Sequence, residues 1–372
     1  MKKRKNFNFS LLHTEWSTGW GGQEIRILEE SLAFKKRGIS VKIVAQPSSQ
    51  LIERAKNVGI EVFPVRMHKG FNIAAILQLI KIIKKEQIDI IHTHSSVDHR
   101  LAGLAARIAG KPIVRSRHLS TLISRSPLSK ALYMNLADQV ITSGESIRQA
   151  MINHNRMSSN KIISIPAGID VNKFSLKRKM DDIRSIYRIS KEAFVIGIVG
   201  VLRSWKGHQD LLRATEQIRR KIPNLRVLIV GEGPQREAIE KQVLESNLSD
   251  IVILTGYQKD PAPYMKAMDI VVLPSYANEA TSQVLPQAMA MRRPVISTDI
   301  GSLSEVVINE QTGLSIPPRD INSLVKAVMR FYKNKDLRNT LIRNGYSLVT
   351  RKYTFKHMID NTEKVYRKLL VN

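Results

Sequence analysis

Between Val271 and Gly301 one stretch of this chain gathers a carboxylate, a run of backbone amides and a glutamine at chemically useful spacing. The apolar run Val271 to Leu273 stops at Pro274 and reads as a buried parallel strand. A polar loop carrying Glu279 follows. A helix is expected to open near Ser282 and run through Met291, with Gln287 one to two turns inside it, before a short strand from Pro294 to Ser297. Carboxylate and amide then sit at the C-terminal edge of a parallel sheet, where open α/β sheets bind ligands. The N–H groups of Ala280, Thr281 and Ser282 would face an anion there. Glu279 repels phosphate, so its natural partner is a neutral hydroxylated group. An anion beside a polyol describes a nucleotide sugar.

Other segments offer matching chemistry. Gly200-Val201-Leu202-Arg203-Ser204-Trp205-Lys206-Gly207 ends a strand and sets two cations, Arg203 and Lys206, just before a helix. Cations there oppose the helix dipole but suit the charge growing on a departing nucleoside diphosphate. No Asp-x-Asp occurs in the chain, so protein cations are expected to stand in for a metal, and no metal or other cofactor is expected. Gly19-Trp20-Gly21-Gly22 opens the first helix, where glycine permits close backbone approach to a ligand, although a tight turn explains it equally well. Gly231 and Gly233 punctuate another strand-to-helix turn, and Tyr257 follows a strand whose backbone could read a base edge.

His92-Thr93-His94 and Arg115-Ser116-Arg117-His118 end successive strands of the first half, and alternation puts His92 and His94 on one face. Single histidines hydrogen-bonding a sugar or acceptor are preferred to a metal cluster. His118 is the best placed, with His94 and Arg117 on the acceptor side. Residues 115–130 interleave Arg115, Arg117, Arg125 and Lys130 with Leu119, Leu122 and Ile123. That mixture suits an anionic bilayer surface or a solvated connector with one buried side.

The elements that must position these groups alternate strand and helix, twice over, which predicts parallel sheets covered on both faces. The first half has strand candidates at 7–12, 41–45, 61–64, 88–93, 113–117, 139–142 and 162–165. The second restarts at 194–200 and continues through 227–230, 251–255, 270–273, 295–297 and 313–316. The polar, weakly periodic segment 166–182 reads as the boundary, and a last helix from 357 to 370 follows a break at Tyr353-Thr354-Phe355.

A length of 372 residues allows two domains, and 43% apolar with 24% charged residues is a soluble globular balance. The absence of cysteine excludes disulfides and thiolate metal sites and fits a reducing compartment. The basic start lacks the apolar stretch of a signal peptide, and the greasiest helix, 73–83, is broken by Gln78 and Lys81 and too short to span a bilayer. A cytoplasmic protein is expected. The net charge of +27 is spread over both halves and fits nucleic acid, an anionic membrane or phosphorylated substrates. No nucleic-acid-binding motif accompanies it, so no nucleic-acid partner is expected.

Taken together these residues resemble the family 4 retaining glycosyltransferases of the GT-B fold, of the bacterial cell-surface polysaccharide and lipopolysaccharide type, over essentially the whole chain. The likeness rests on Gly21-Gly22-x-Glu24, on Pro166-Ala167-Gly168-Ile169-Asp170 ahead of Phe174, on Lys206-Gly207, and on the Glu279 block ending in Pro294-Val295. It implies two Rossmann-like doubly wound α/β domains facing each other across a cleft. Residues 1–174 would bind the acceptor, with helix 355–372 packing back on them, and 175–354 would bind the nucleotide sugar. Gly22 would approach the donor diphosphate, Arg203 and Lys206 would bind it, and Glu279 would contact the donor sugar. The amides after Glu279 would hold phosphate, Gln287 would bind the ribose, and His118 would sit at the reacting centre. Gln287 replaces the family's usual glutamate, and Val201 stands where an arginine is usual. The activity implied is metal-independent hexosyl transfer from a nucleotide-sugar donor to a saccharide or lipid-linked acceptor, with peripheral attachment to the inner membrane face. Alternatives are a non-catalytic basic protein binding nucleic acid or membrane, and a sugar-nucleotide epimerase of the same fold.

Overall fold

The computed structural model of the chain describes residues 8–70, 72–119, 121–277, 279 and 282–371. It divides into two compact units, one of Met1–Pro166 with Met358–Asn372, the other of Ala167–His357. The division comes earlier than the expected boundary after residue 174. Ile169 exchanges backbone hydrogen bonds with Tyr353 and Phe355, and Phe174 is buried in the second unit's core. Residues 167–174 are thereby bound to the second unit.

Among the described residues the first unit carries a seven-stranded, wholly parallel sheet. Its strands are β1 (Ser10–Glu15), β2 (Ser40–Ala45), β3 (Glu61–Pro64), β4 (Ile90–Thr93), β5 (Ile113–Arg117), β6 (Gln139–Thr142) and β7 (Ile162–Ser164), in the order β3-β2-β1-β4-β5-β6-β7. The second unit has β8 (Phe194–Val199), β9 (Leu225–Val230), β10 (Val252–Leu254), β11 (Ile270–Leu273), β12 (Val295–Thr298) and β13 (Leu314–Ile316), ordered β10-β9-β8-β11-β12-β13 and again parallel. In both sheets the order reverses once, between β1 and β4 and between β8 and β11. Loops leaving the C-terminal ends of those neighbours diverge to opposite faces and open a crevice. The two reversals fix where each unit can bind.

Strand sequence explains the layers. In the second unit Val195, Val199, Leu228, Val230, Val271 and Leu273 pack on one face. Their alternating neighbours Phe194, Ile196, Ile198, Ile229, Ile270 and Val272 pack on the other. Both faces are covered, as continuous β-branched runs require. Helix Ile73–Lys85 of the first unit is capped by Asn72, whose side chain accepts from the Ala75 N–H. It buries Ala75, Ile76, Leu79, Ile82 and Ile83, a three-to-four spacing that makes one apolar stripe. The last helix, Phe355–Val371, ends in the first unit. There Tyr366 is fully buried beside Phe9 and Phe34, while Asp360 and Glu363 grip Arg37.

Gly197, in the middle of β8, is a packing requirement. A Cβ there would lie 1.9 Å from the Met268 sulfur, and Met268 is fully buried. Gly197→Ala should destabilise the second unit by about 1–3 kcal/mol, the usual cost of overpacking. In urea titrations Gly197→Ala with Met268→Ala should lose less than the sum of the single losses, because the clashing pair couples. Strict additivity would show that the two side chains do not meet.

Candidate active site

The second unit's reversal point is built around Glu279. Its Oε1 accepts from Lys206 Nζ at 2.6 Å and from Ser275 Oγ at 2.7 Å, and the residue is 5% exposed. Two glycines hold this arrangement. Gly207 adopts a left-handed φ of 78°, and a Cβ on it would stand 2.1 Å from the Pro274 carbonyl oxygen. Gly301, also left-handed, would set a Cβ 2.4 Å from the Glu279 carbonyl oxygen. Only glycine fits either position. The short 3₁₀ turn Ser204–Lys206 and the bond from the Tyr276 N–H to the Trp205 carbonyl at 2.9 Å bring the β8 and β11 loops together.

The other expected donor-side residues distribute around this pair. Arg203 is exposed, with its guanidinium 5.4 Å from the Trp205 ring centre. Ser282 is buried and Gln287 half-buried. The helix expected to open near Ser282 spans Val284–Ala290. Ala280 and Thr281 lie outside the described residues. Gly231 and Gly233 owe their identity to their own loop, because a Cβ would meet the Gly200 oxygen at 1.9 Å and the Leu202 nitrogen at 2.7 Å. They press the 231–233 backbone onto 200–202, where the Leu202 N–H reaches the Glu232 carbonyl at 3.0 Å. Tyr257 is 74% exposed, an open aromatic face at the same sheet edge.

One buried group was missed. His208, directly after Gly207, is almost fully buried with both ring nitrogens unpartnered. Burial, and then the Lys206 charge, lower its pKa to about 4. It stands as a neutral imidazole behind the lysine. Its position after Lys206-Gly207 was a usable signal, but a single histidine at a helix start carries no pattern.

The first unit's reversal point is built from neutral and shared-proton groups. Gly21 caps helix Gly22–Lys36, and its N–H donates to Glu24 Oε2 at 2.8 Å. A Cβ at Gly22 would meet nothing within 4 Å, so that position is open. Glu15, fully buried at the end of β1, accepts from the Ser17 N–H at 2.7 Å and from the Gln23 side-chain amide. Burial, then the Asp98 charge, raise its pKa to about 8. Asp98, raised by burial in turn, accepts from Thr14 Oγ1 and from the His94 and Ser95 amides.

Beside them runs a chain of imidazoles. His13 Nδ1 lies 2.9 Å from His94 Nε2, and His94 Nδ1 lies 3.1 Å from His118 Nε2, the last two rings stacked at 14°. His92 packs 4.2 Å from His94 between ring centres and is held by Tyr366 Oη and Ser116 Oγ. Desolvation first, then the Arg26 charge, lower His13 and His118 to about 3, and burial lowers His92, His94 and His99 as well. All are neutral at physiological pH. His94, expected on the acceptor side, is buried with both nitrogens taken by other histidines, whereas His118 is partly exposed. Arg117 is half-buried, with Nη2 on the Thr121 carbonyl at 2.5 Å. Nitrogen atoms of His13, His92 and His94 lie within 4.8 Å of one another, a spacing that could hold a metal ion. Five of their six ring nitrogens are instead engaged by hydrogen bonds, leaving His13 Nε2 alone. The set is complete as a hydrogen-bonded cluster.

Comparison with known proteins places this architecture. A family model described as "Glycosyl transferases group 1" matches residues 179–348, and one described as "Glycosyltransferase Family 4" matches residues 20–173. Glycosyltransferase family models thus match both halves of the chain, and its two Rossmann-like parallel sheets are those of the GT-B fold. The chain belongs to the family 4 glycosyltransferases. It is 24% identical to the capsular polysaccharide biosynthesis glycosyltransferase CapM of Staphylococcus aureus, over 94% of this chain and 95% of that protein. It is 28% identical to the UDP-Gal:alpha-D-GlcNAc-diphosphoundecaprenol alpha-1,3-galactosyltransferase of Escherichia coli, over 80% of each. Its fold matches Anabaena HepE, solved in complex with UDP, with a TM-score of 0.84 at 18% identity over 97% of this chain and 100% of that one. These relatives do not favour the non-catalytic or epimerase alternatives.

The opposed titrations give a testable sign. Histidines whose neutral form is buried lose stabilisation as pH falls below the unfolded value of 6.5. Glu15, with its folded pKa raised, stabilises fully below its unfolded value of 4.5 and loses that contribution as pH rises toward about 8. Glu15→Gln keeps the neutral shape without the titration. Relative to wild type it should gain up to about 1.4 kcal/mol per pH unit between about pH 5 and pH 8 in urea unfolding. A pH-independent difference would show that Glu15 ionises normally.

Proposed function

We propose that the chain transfers a sugar from a nucleotide-sugar donor to a saccharide or lipid-linked acceptor, with retention at the anomeric carbon, in the assembly of a cell-surface polysaccharide or lipopolysaccharide. The observation that carries this reading is the contact between Lys206 and the buried Glu279 at the reversal point of the second sheet. Lys206, with Arg203, neutralises the donor diphosphate without recourse to a metal. Glu279 hydrogen-bonds the hydroxyls of the attached sugar. Gln287 meets the ribose diol as a neutral amide, and the open face of Tyr257 supports the base. His118 is the catalytic residue of the first unit. The name of the Escherichia coli relative and the UDP bound to HepE support a uridine nucleotide as the first donor class to test, and the same name supports a diphospholipid-linked sugar as the first acceptor.

A thermal-shift panel of nucleotides and nucleotide sugars tests the donor, since a ligand at about 100 times its Kd adds roughly 2.7 kcal/mol to apparent stability. UDP-sugars should raise the melting temperature, and silence across the panel would refute the reading. Glu279→Gln should abolish transfer while the protein still folds. Lys206→Met should weaken nucleoside diphosphate binding and slow transfer by roughly 10²–10³-fold, the loss of one electrostatic donor to a developing anion. Near wild-type turnover in both would remove this pair from the chemistry.

The same reading includes peripheral attachment to an anionic membrane face. Among the described residues no helix is long and apolar enough to cross a membrane. Leu119, Leu122 and Leu128 are 59%, 65% and 71% exposed; Arg125 stands on the segment leading into helix Pro127–Met134, and Lys130 lies within that helix beside Leu128. Apolar side chains at the acyl boundary with basic ones at the headgroups are the pattern for interfacial binding. The protein should sediment with vesicles containing anionic lipid and much less with zwitterionic ones. Leu122→Asp with Leu128→Asp should abolish that binding without altering turnover on a soluble acceptor. Equal binding to both vesicle types would exclude the electrostatic part.

A further inference from the structure

Within the first unit the chain His13–His94–His118 has a property that neither its burial nor its position conveys. An N···N contact between neutral imidazoles needs one nitrogen bearing hydrogen and one bare. Two such contacts in series allow only two arrangements. In the first, His118 Nε2–H donates to His94, whose Nε2–H donates to His13; a buried N–H is then stranded at His13 Nε2 and His118 Nδ1 is bare. In the second, His13 Nδ1–H donates to His94 Nε2, His94 Nδ1–H donates to His118 Nε2, and His118 Nδ1 carries hydrogen. His13 Nε2 is buried and meets no partner. Orphaned buried N–H groups are rarer than under-used acceptors, so the second arrangement is the stable one.

We propose that His13 and His94 are positioning residues that lock His118 in its Nδ1–H tautomer, so that His118 offers the reaction a neutral hydrogen-bond donor and not a base. Its Nε2 is occupied by His94, and no group of the described residues engages Nδ1. A neutral donor of this kind stabilises oxygen as negative charge develops, without adding a formal charge of its own. Stacking on His94 fixes the ring plane as well as the tautomer. This role for His118 rests on its proposed part in the reaction, but the tautomer can be read independently of activity.

The test uses the full chain labelled with nitrogen-15 in histidine only, with resonances assigned by single substitutions. At about neutral pH, His118 should show a protonated Nδ1 and a bare Nε2. His13→Val removes the first donor, so His94 and His118 should redistribute their tautomers while the fold and donor KM hold. Transfer kcat should then drop by about tenfold or more, a wrong tautomer costing up to roughly 10⁴ where an imidazole does the chemistry. His13→Asn, whose amide N–H can replace Nδ1–H, should restore both spectrum and kcat. A protonated Nε2 on His118, or a His118 spectrum indifferent to His13→Val, overturns the inference. Full activity in His118→Ala would instead refute the part of His118 in the reaction, whatever its tautomer.

Discussion

A carboxylate held out of water beside a lysine governs the second unit. Glu279 is buried, and what keeps it tolerable is Lys206 and Ser275, both on the same oxygen. Breaking such a pair from one side typically costs about 3–5 kcal/mol, because the remaining charge has nowhere to go. The pairing depends on β8 and β11 being neighbours, since the two partners leave the ends of those two strands. It depends equally on Gly207 and Gly301, which let the loops close to distances no side chain would permit. Topology, glycine and charge act together here.

The first unit solves the same problem with little net charge. The C-terminal ends of β1, β4 and β5 bury His13, Thr14, Glu15, His92, Thr93, Asp98 and Arg115, a concentration of polar groups that a stability-driven core would avoid. Most are tied to one another by hydrogen bonds, with His13 Nε2 and the Nε and Nη1 of Arg115 left over among the described residues, and burial holds the histidines neutral and Glu15 protonated. Networks of this sort are rigid, because a bonded member cannot move without stranding another. Tyr366 of the last helix closes the set against His92, so the C-terminal segment supports the polar edge directly.

β6 and β11 were legible as short apolar runs and fall where the sequence places them, as do the edge strand β3, which buries no residue, and β5, whose apolar start gives way to Arg115-Ser116-Arg117. Helix Gln50–Asn57 was not legible. It is eight residues long with a polar composition, and its start rests on Ser49 accepting from the Leu51 N–H. Glu279, Lys206 and His118 could be named from spacing at strand ends. That Lys206 touches Glu279, 73 positions away, could not, because only the order reversal makes β8 and β11 adjacent. His13 was invisible for a similar reason, since its partner His94 lies 81 residues on, and Glu15 because an isolated polar residue in a strand shows no period.

The Lys206–Glu279 contact also bears on how a donor is recognised under the proposed reading. Lys206 carries three N–H donors and spends one on Glu279, so it can donate to a diphosphate without leaving the carboxylate. A nucleoside diphosphate alone then meets the lysine, whereas a nucleotide sugar also brings hydroxyls that can donate to Glu279, so both halves of the ligand are met together. Arg203, exposed and with no carboxylate partner among the described residues, can engage either ligand equally. Under that reading what separates donor from spent nucleotide is the sugar's contact with Glu279, a carboxylate already held in place by Lys206 at 2.6 Å.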